Sequence, residues 1–326
     1  MFLRPMTTAA KLLFHSPCFD GIVSAVIAGD FLRRHEHWVE LELEPVNYDL
    51  NARWVDLHFD GPVAIVDFLF HPDASFWVDH HRTSFLTASL RREYLERRSE
   101  RFIYDDRADS CAGLLWRRLF DLYRWRNERY AELVSWAEKI DSARYATVAE
   151  AFAFHHPALK ISMTLALSDD DYCRWLVRSL TDQPLADVAA SVTVRDRFAL
   201  IEPQLAEGLK RFRRSARLRD GIAVFNVDGR GTIVSRYAPY RVFPHARYSI
   251  GYVRLEGDGK ITAMRNPWID FESVALGDIF ARFGGGGHQR VASLRVSDDT
   301  DVEKILAELV AAVEEAEGSL PAAAAR

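Results

Sequence analysis

A chain of 326 residues with 48% hydrophobic and 27% charged residues, including 20 Phe, 11 Tyr and 8 Trp, has the composition of one large or two ordinary folded domains, which excludes a disordered or fibrous protein. Its 42 basic and 47 acidic residues leave a net charge of -5, so the molecule lacks an overall field that would grip a long polyanion; a nucleic-acid partner is expected to be short or met by a local patch. Three scattered cysteines, Cys18, Cys111 and Cys173, without a CxxC pair argue against a disulfide framework or a paired-cysteine zinc site, and no apolar run reaches the length of a membrane span, so a cytoplasmic protein is expected.

In chain order, the short apolar run KLLF, the polar loop HSPCFDG and the helix-patterned IVSAVIAGDFLRRH read as strand, loop and helix. Two more apolar runs follow, PVAIVDFLF reaching Asp67 and ASFWVDHH reaching Asp79. Near-continuous apolar strands belong to a parallel sheet covered by helices on both faces, and ligands of such sheets gather at the C-terminal strand ends. Asp109 and Ser110 are set to cap the helix CAGLLWRRLFDLYRW, and ERYAELVSWAEKIDSA carries Asp141 near its end.

The pattern stays helical from about 150 to 212, with Asp169, Asp170 and Asp171 opening one helix and Pro203 inside another. From residue 221 the texture changes to β-like runs, GIAVFNVDG, GTIVSRYAP, YSIGYVRLEGDGK and ITAMRNPW, followed by FGGGGHQRVASLRV and the amphipathic helix DVEKILAELVAAVEEAE. The expected organisation is an α/β catalytic domain over 1–190, a helical connector over 191–220 and a smaller α/β domain over 221–326.

The chemistry-bearing residues are His15 and Asp20 in HSPCFDG, Asp67 in AIVDF, Asp79, His80 and His81 in VDHH, and Asp141 in EKIDSA. A single strand-end Asp most often caps a helix, and a single loop histidine is most often just hydrogen-bonded. Three successive strand ends carrying such groups point instead to a metal site. Carboxylates mixed with imidazoles suit Mn2+ or a similar divalent cation. A shared carboxylate can bridge two cations, the arrangement that serves phosphoryl displacement. Far along the chain, Gly284 to Gly287 leave the backbone free to fold around an anion, beside His288.

The order HxxCxDG, a strand-end Asp in VDF, DHH, an isolated later Asp and a C-terminal GGGH resembles the DHH superfamily of phosphoesterases with its DHH-associated domain. That superfamily includes RecJ-type exonucleases, nanoRNases and phosphatases of 3'-phosphoadenosine 5'-phosphate. The resemblance runs from His15 to Ser293. It implies two divalent metals, Mn2+ foremost with Mg2+, Zn2+ or Fe2+ as alternatives. Asp20, Asp67, His80 and Asp141 would hold one metal, with Asp67 bridging to a second held by His15 and Cys18. Asp79 would orient His80, and His81 would face the substrate phosphate. Arg265 in AMRN, with Gly285, Gly286, Gly287 and His288, would clamp a phosphate in a cleft between the two domains.

Two positions depart from the family pattern. Many members have Asp where this chain has Cys18, which leaves the metal identity open. GHQRVAS also lacks the small alanine-glycine ending that is frequent there. Six cations between Lys210 and Arg219 form a basic stretch that reads as a solvated connector or as an entry for a nucleic-acid strand.

The expected function is hydrolysis of short single-stranded oligonucleotides or phosphorylated nucleotides, by an exonuclease or a nucleotide phosphatase, with a homodimer as the oligomeric expectation. The competing readings are a catalytically weak nucleotide sensor and a small-phosphate hydrolase such as an inorganic pyrophosphatase.

Overall fold

The computed structural model describes residues 10–38, 40–97, 99–257, 259–287, 289–297 and 301–320. The chain divides into two compact units, one of residues 1–145 and 153–198, the other of residues 146–152 and 199–326.

In the first unit KLLF becomes β1 (Ala10–His15), followed by α1 (Phe19–Arg34), β2 (Leu41–Val46), β3 (Val63–Val66), β4 (Phe76–Asp79), α2 (Ala88–Arg97) and β5 (Phe102–Tyr104). The strands form one all-parallel sheet in the order β2-β1-β3-β4-β5. Helices α3 (Cys111–Tyr123), α4 (Ala131–Asp141), α5 (Pro157–Thr164), α6 (Asp170–Asp182) and α7 (Leu185–Ala190) follow. The β3 and β4 residues are buried throughout, as expected of interior strands packed on both faces.

Ala64, Val66, Phe76 and Val78 point into a core with α1, α3, α4 and α6. Ile65 and Trp77 point the other way, into a second core of Trp54, Phe68, Phe70 and Leu90. Among the described residues, helical cover on that second face comes from α2 and two 3-10 turns, with aromatic loop residues filling the remainder. Buried Trp54 and Trp77 satisfy their indole N–H groups on the carbonyls of Phe70 and Phe68, at 3.0 and 2.9 Å.

Helix α8 (Val192–Ser215), with Pro203 inside it, leads into the second unit. There β6 (Arg217–Arg219), β7 (Ile222–Asp228), α9 (Ala238–Val242), β8 (Tyr248–Arg254), β9 (Gly259–Arg265), α10 (Leu276–Ala281), β10 (Gly286–Gly287), β11 (Val291–Val296) and α11 (Val302–Gly318) follow. The sheet order is β10-β11-β9-β8-β7-β6, with β7 and β8 parallel and the other neighbours antiparallel. One face packs on α10 and α11; on the other, Phe225 and Val227 meet Phe212 of α8.

One expected strand is absent. GTIVSRYAP forms a loop and then α9, because Ile233 gives its amide to the carbonyl of Gln204 at 3.2 Å and Pro239 stands in the first turn of the helix. Among the described residues, the strands that escaped the sequence reading include three at sheet edges besides the short β10 of the glycine run. LELEPV alternates with glutamates and contains Pro45, FIY is only three residues long, and RLR is exposed along its length within the basic stretch.

Candidate metal centre

Because all five strands of the first sheet run parallel, the C-terminal ends of β1, β3 and β4 fall on one edge. His15 closes β1, and Asp67 directly follows β3. Its backbone sits in the left-handed region at φ 58°, with its amide donating to the carbonyl of Val78 at 2.9 Å. Asp tolerates that conformation better than most residues, and the turn aims the carboxylate along the sheet edge. Asp79 ends β4, and His80 and His81 follow it.

Cys18 stands at the N-cap of α1, but its side chain caps nothing and remains available. Gly21 permits the close approach of α1 to β1, since a Cβ there would lie 2.0 Å from the carbonyl oxygen of His15. Asp141 is the last residue of α4.

These elements bring together all six residues expected to hold metal. His15, Cys18 and Asp67 form one group, Asp20, His80 and Asp141 a second, and Asp67, His80 and His81 a third; within each group the candidate ligand atoms lie within 4.8 Å of one another. His80 Nε2 is 3.6 Å from Asp20 Oδ2, 3.6 Å from Asp67 Oδ1 and 3.4 Å from Asp141 Oδ2. His15 Nδ1 is 3.4 Å from Asp67 Oδ2. Asp67 is thus the side chain common to both ends of the cluster.

The remaining bonds define which lone pairs are free. Asp20 takes the first two amides of α3, Cys111 N at 2.7 Å and Ala112 N at 2.9 Å, so a helix N-terminus holds its carboxylate. His80 Nδ1 donates to the carbonyl of Ala108 at 3.1 Å, which leaves Nε2 directed at the carboxylates. Asp79 Oδ1 accepts the His80 amide at 2.7 Å and the His81 Nδ1 proton at 2.8 Å, while Oδ2 accepts the Ser84 hydroxyl at 2.5 Å.

This corrects one expectation: the ring that Asp79 orients is that of His81, and the His80 ring is set by a backbone carbonyl. Tyr104 donates its hydroxyl to the His81 carbonyl at 3.0 Å. Ser84, Tyr104 and the Ala108 carbonyl are supports that the sequence reading missed. Ser84 lies in the loop after His81, which the sequence reading left without a role, and Tyr104 lies on an unrecognised edge strand.

The electrostatics are those of negative charges crowded together. Burial, and then the charges of Asp67 and Asp141, push Asp20 well above the usual carboxylate range. Burial acts the same way on Asp67, but the imidazoles of His15 and His80 outweigh it and hold Asp67 well below that range. Burial disfavours charge on His80, yet Asp67, Asp20 and Asp141 carry it up to about 11; His81, likewise buried, is raised to about 9 by Asp79 and Asp67. Burial and the carboxylates of Asp67, Asp141 and Asp20 push the Cys18 thiol well up.

Among the described residues, His15 Nδ1, both carboxylate oxygens of Asp67 and His80 Nε2 are buried without a hydrogen-bond partner. Such orphaned groups are costly, and here they converge. Mixed oxygen, nitrogen and sulfur donors around one shared carboxylate fit divalent cations.

In the second unit, Arg265 is buried, with Nη1 and Nη2 donating to the carbonyls of Asn266 and Phe271, each at 2.8 Å, and its guanidinium 4.3 Å from the centre of the Phe271 ring. The glycines differ from one another. A Cβ on Gly285 would lie 2.6 Å from the Ser293 carbonyl oxygen, and one on Gly287 2.3 Å from that of Val291, so close packing of β10 on β11 requires both. Gly284 has φ 82° in open space, whereas Gly286 is open and has no left-handed backbone to demand glycine. His288 lies outside the described residues.

No family model matches the chain, and no curated protein matches its sequence. Its fold is shared with solved structures. The pGpG-specific phosphodiesterase PggH from Vibrio cholerae aligns with a TM-score of 0.70 at 15% identity, covering 94% of this chain and 99% of PggH. RecJ from Thermus thermophilus, in complex with Mn2+, aligns with a TM-score of 0.55 at 14% identity; the match covers 96% of this chain and 52% of RecJ, so the chain spans about half of that protein. An exopolyphosphatase-related protein from Bacteroides fragilis gives 0.52 at 12% identity, covering 94% of this chain and 91% of the other. At these identities the likeness is one of fold, and it bears out the fold that the order of the motifs implied. Among the described residues, no helix is long and apolar enough to cross a membrane.

Proposed function

We propose that this chain is a DHH-type phosphoesterase that hydrolyses short oligonucleotides or phosphorylated nucleotides with two bound divalent cations, Mn2+ foremost. The observation that carries the reading is the convergence of unpartnered buried His15 Nδ1, Asp67 Oδ1 and Oδ2, and His80 Nε2, grouped with Cys18, Asp20 and Asp141. The fold shared with a pGpG-specific phosphodiesterase over 99% of its length supports a substrate of dinucleotide size.

Asp20, Asp67, His80 and Asp141 would hold one cation, and Asp67, His15 and Cys18 the other. When bound, such a pair lowers the pKa of a shared water and offsets charge on the attacking and leaving oxygens. The protein's own part is positional. Asp20 is held by the start of α3, His80 by Ala108, and Asp67 by its turn at the end of β3. His81, with Nδ1 tied to Asp79, offers Nε2 to a phosphate oxygen and keeps a proton there near neutral pH.

The test is a Mn2+-supplemented assay against dinucleotides, longer single strands, 3'-phosphoadenosine 5'-phosphate, cyclic dinucleotides and pyrophosphate. Dinucleotides or the phosphorylated nucleotide are expected to be cleaved, and Asp67→Asn is expected to abolish turnover without unfolding the chain. Two bound cations with no hydrolysis across the panel would instead favour a nucleotide sensor, the reading that a protonated Cys18 thiol supports.

A further inference from the structure

Two imidazoles of the centre are set by hydrogen bonds, His80 by the Ala108 carbonyl and His81 by Asp79. Among the described residues none fixes the ring of His15, whose buried Nδ1 stands 3.4 Å from Asp67 Oδ2. A histidine that ligates metal needs its ring oriented by a neighbour. Here the neighbours are aromatic. The Tyr48 ring meets His15 edge to face, with centroids 5.0 Å apart and planes at 64°, and the buried Phe68 ring lies 6.0 Å away. Tyr48 packs on Phe68 at 5.1 Å, and Trp54 stands across Phe68 at 4.9 Å and 86°, anchored by its indole N–H on the Phe70 carbonyl.

Tyr48 owes its place to β2, the edge strand that pairs with β1 in parallel. The Ser16 amide donates to the Val46 carbonyl at 2.9 Å, tying the end of β1 to the end of β2. The chain then enters a 3-10 turn over Tyr48–Leu50, where the side-chain oxygen of Asn47 accepts the Tyr48 amide at 2.7 Å. A fourth strand end thus contributes to the sheet edge that carries the centre.

We infer that Tyr48 is a positioning residue of the metal centre: its ring holds the His15 imidazole with Nδ1 toward Asp67, and so sets the affinity for the cation shared by His15, Cys18 and Asp67. This rests on the two-cation reading of the centre. Edge-to-face ring pairs favour a definite orientation beyond the area they bury, so the ring and not the hydroxyl is the part that matters.

The experiment titrates the metal-stripped full chain with Mn2+ by calorimetry, in the wild type, Tyr48→Phe, Tyr48→Leu, Tyr48→Met and His15→Ala. The wild type is expected to take two equivalents, and His15→Ala identifies the step that depends on His15. Tyr48→Leu and Tyr48→Met fill the space without a ring; they should weaken that same step by about tenfold or more and leave the other within about twofold. Tyr48→Phe should restore both steps. In the His15→Ala background Tyr48→Leu should leave the remaining step unchanged, because the ring it positions is gone. Unchanged binding in Tyr48→Leu and Tyr48→Met overturns the inference. So does an equal weakening of both steps, or a further loss in the His15→Ala background, either of which would make Tyr48 a general support of the unit. A single equivalent in the wild type overturns the two-cation reading itself. The expected pattern combined with no hydrolysis across the nucleotide panel would overturn the phosphoesterase reading and leave Tyr48 in its role.

Discussion

Asp79 and His81 form a closed pair: one carboxylate oxygen takes the imidazole Nδ1 proton at 2.8 Å, and the other takes the Ser84 hydroxyl at 2.5 Å. Both oxygens of Asp79 are therefore occupied, and the His81 ring can present only Nε2 outward. Asp79→Asn would leave the shape intact but put an amide where an acceptor is needed. Turnover is expected to fall by about 10- to 100-fold. Metal content, read by elemental analysis, should fall much less than turnover, since the His80 ring is set by the Ala108 carbonyl and an Asn oxygen can still accept the His80 amide. A matched loss of bound metal would show that Asp79 supports a ligand after all.

Metal binding should release protons. Without metal, His80 is charged up to about 11, because three carboxylates surround its Nε2. A folded-state pKa raised above the unfolded one stabilises the metal-free fold fully at low pH, and that contribution is lost only as pH climbs through about 11. A cation must therefore displace this proton at neutral pH. Apparent Mn2+ affinity is expected to rise by up to about tenfold per pH unit for each proton displaced. Calorimetric titrations in buffers of different ionisation enthalpy should show a net proton release, and an enthalpy independent of buffer would contradict the arrangement.

In the proposed centre, Cys18 is the residue expected to set metal preference. Its thiol is pushed well up by burial and by Asp67, Asp141 and Asp20, which disfavours the thiolate unless a positive charge is near. Cys18→Asp supplies a hard ligand and should shift activity toward Mn2+ and Mg2+, away from Zn2+. Cys18→Ala should reduce the bound metal from two equivalents toward one. An unchanged ratio of activities across a metal panel in both variants would remove Cys18 from the centre.

The glycine run separates packing from binding. Gly285→Ala and Gly287→Ala should lower the melting temperature, through overpacking worth about 1–3 kcal/mol. Gly286→Ala meets no neighbour in the folded chain and should leave melting nearly unaffected. A rise in KM for Gly286→Ala alone would mean that substrate occupies that space, whereas an unaltered KM would mean that the substrate lies elsewhere.

The site was legible because its residues cluster at strand ends whose apolar runs are unambiguous: AIVD and FWVD both ended where the sequence pattern put them. Parallel pairing then did the gathering, which no local pattern shows. What stayed hidden was set by distant contacts. The His80 ring is oriented by Ala108, 28 residues away, and Asp20 is held by amides 91 and 92 residues away. Arg265 gave no sequence sign that its own neighbours would consume its hydrogen bonds. The strand expected in GTIVSRYAP failed because apolar β-branched residues suit a loop packed on a helix as well as a sheet. Pro239 and the Gln204 carbonyl settled which it became.

Helix α1 is buried along its whole course from Phe19 to Leu32, and it carries Asp20 in its first turn. Asp20 is therefore mounted on a helix sunk in the core of its unit. A cation held by Asp20 together with Asp67, His80 and Asp141, as proposed, would tie this helix to the strand ends and resist opening of the unit. Chelation should then accelerate amide exchange throughout α1 and the strands around it, instead of loosening the loops alone. Occupancy of the proposed centre would then be recorded in the lifetime of the hydrophobic interior.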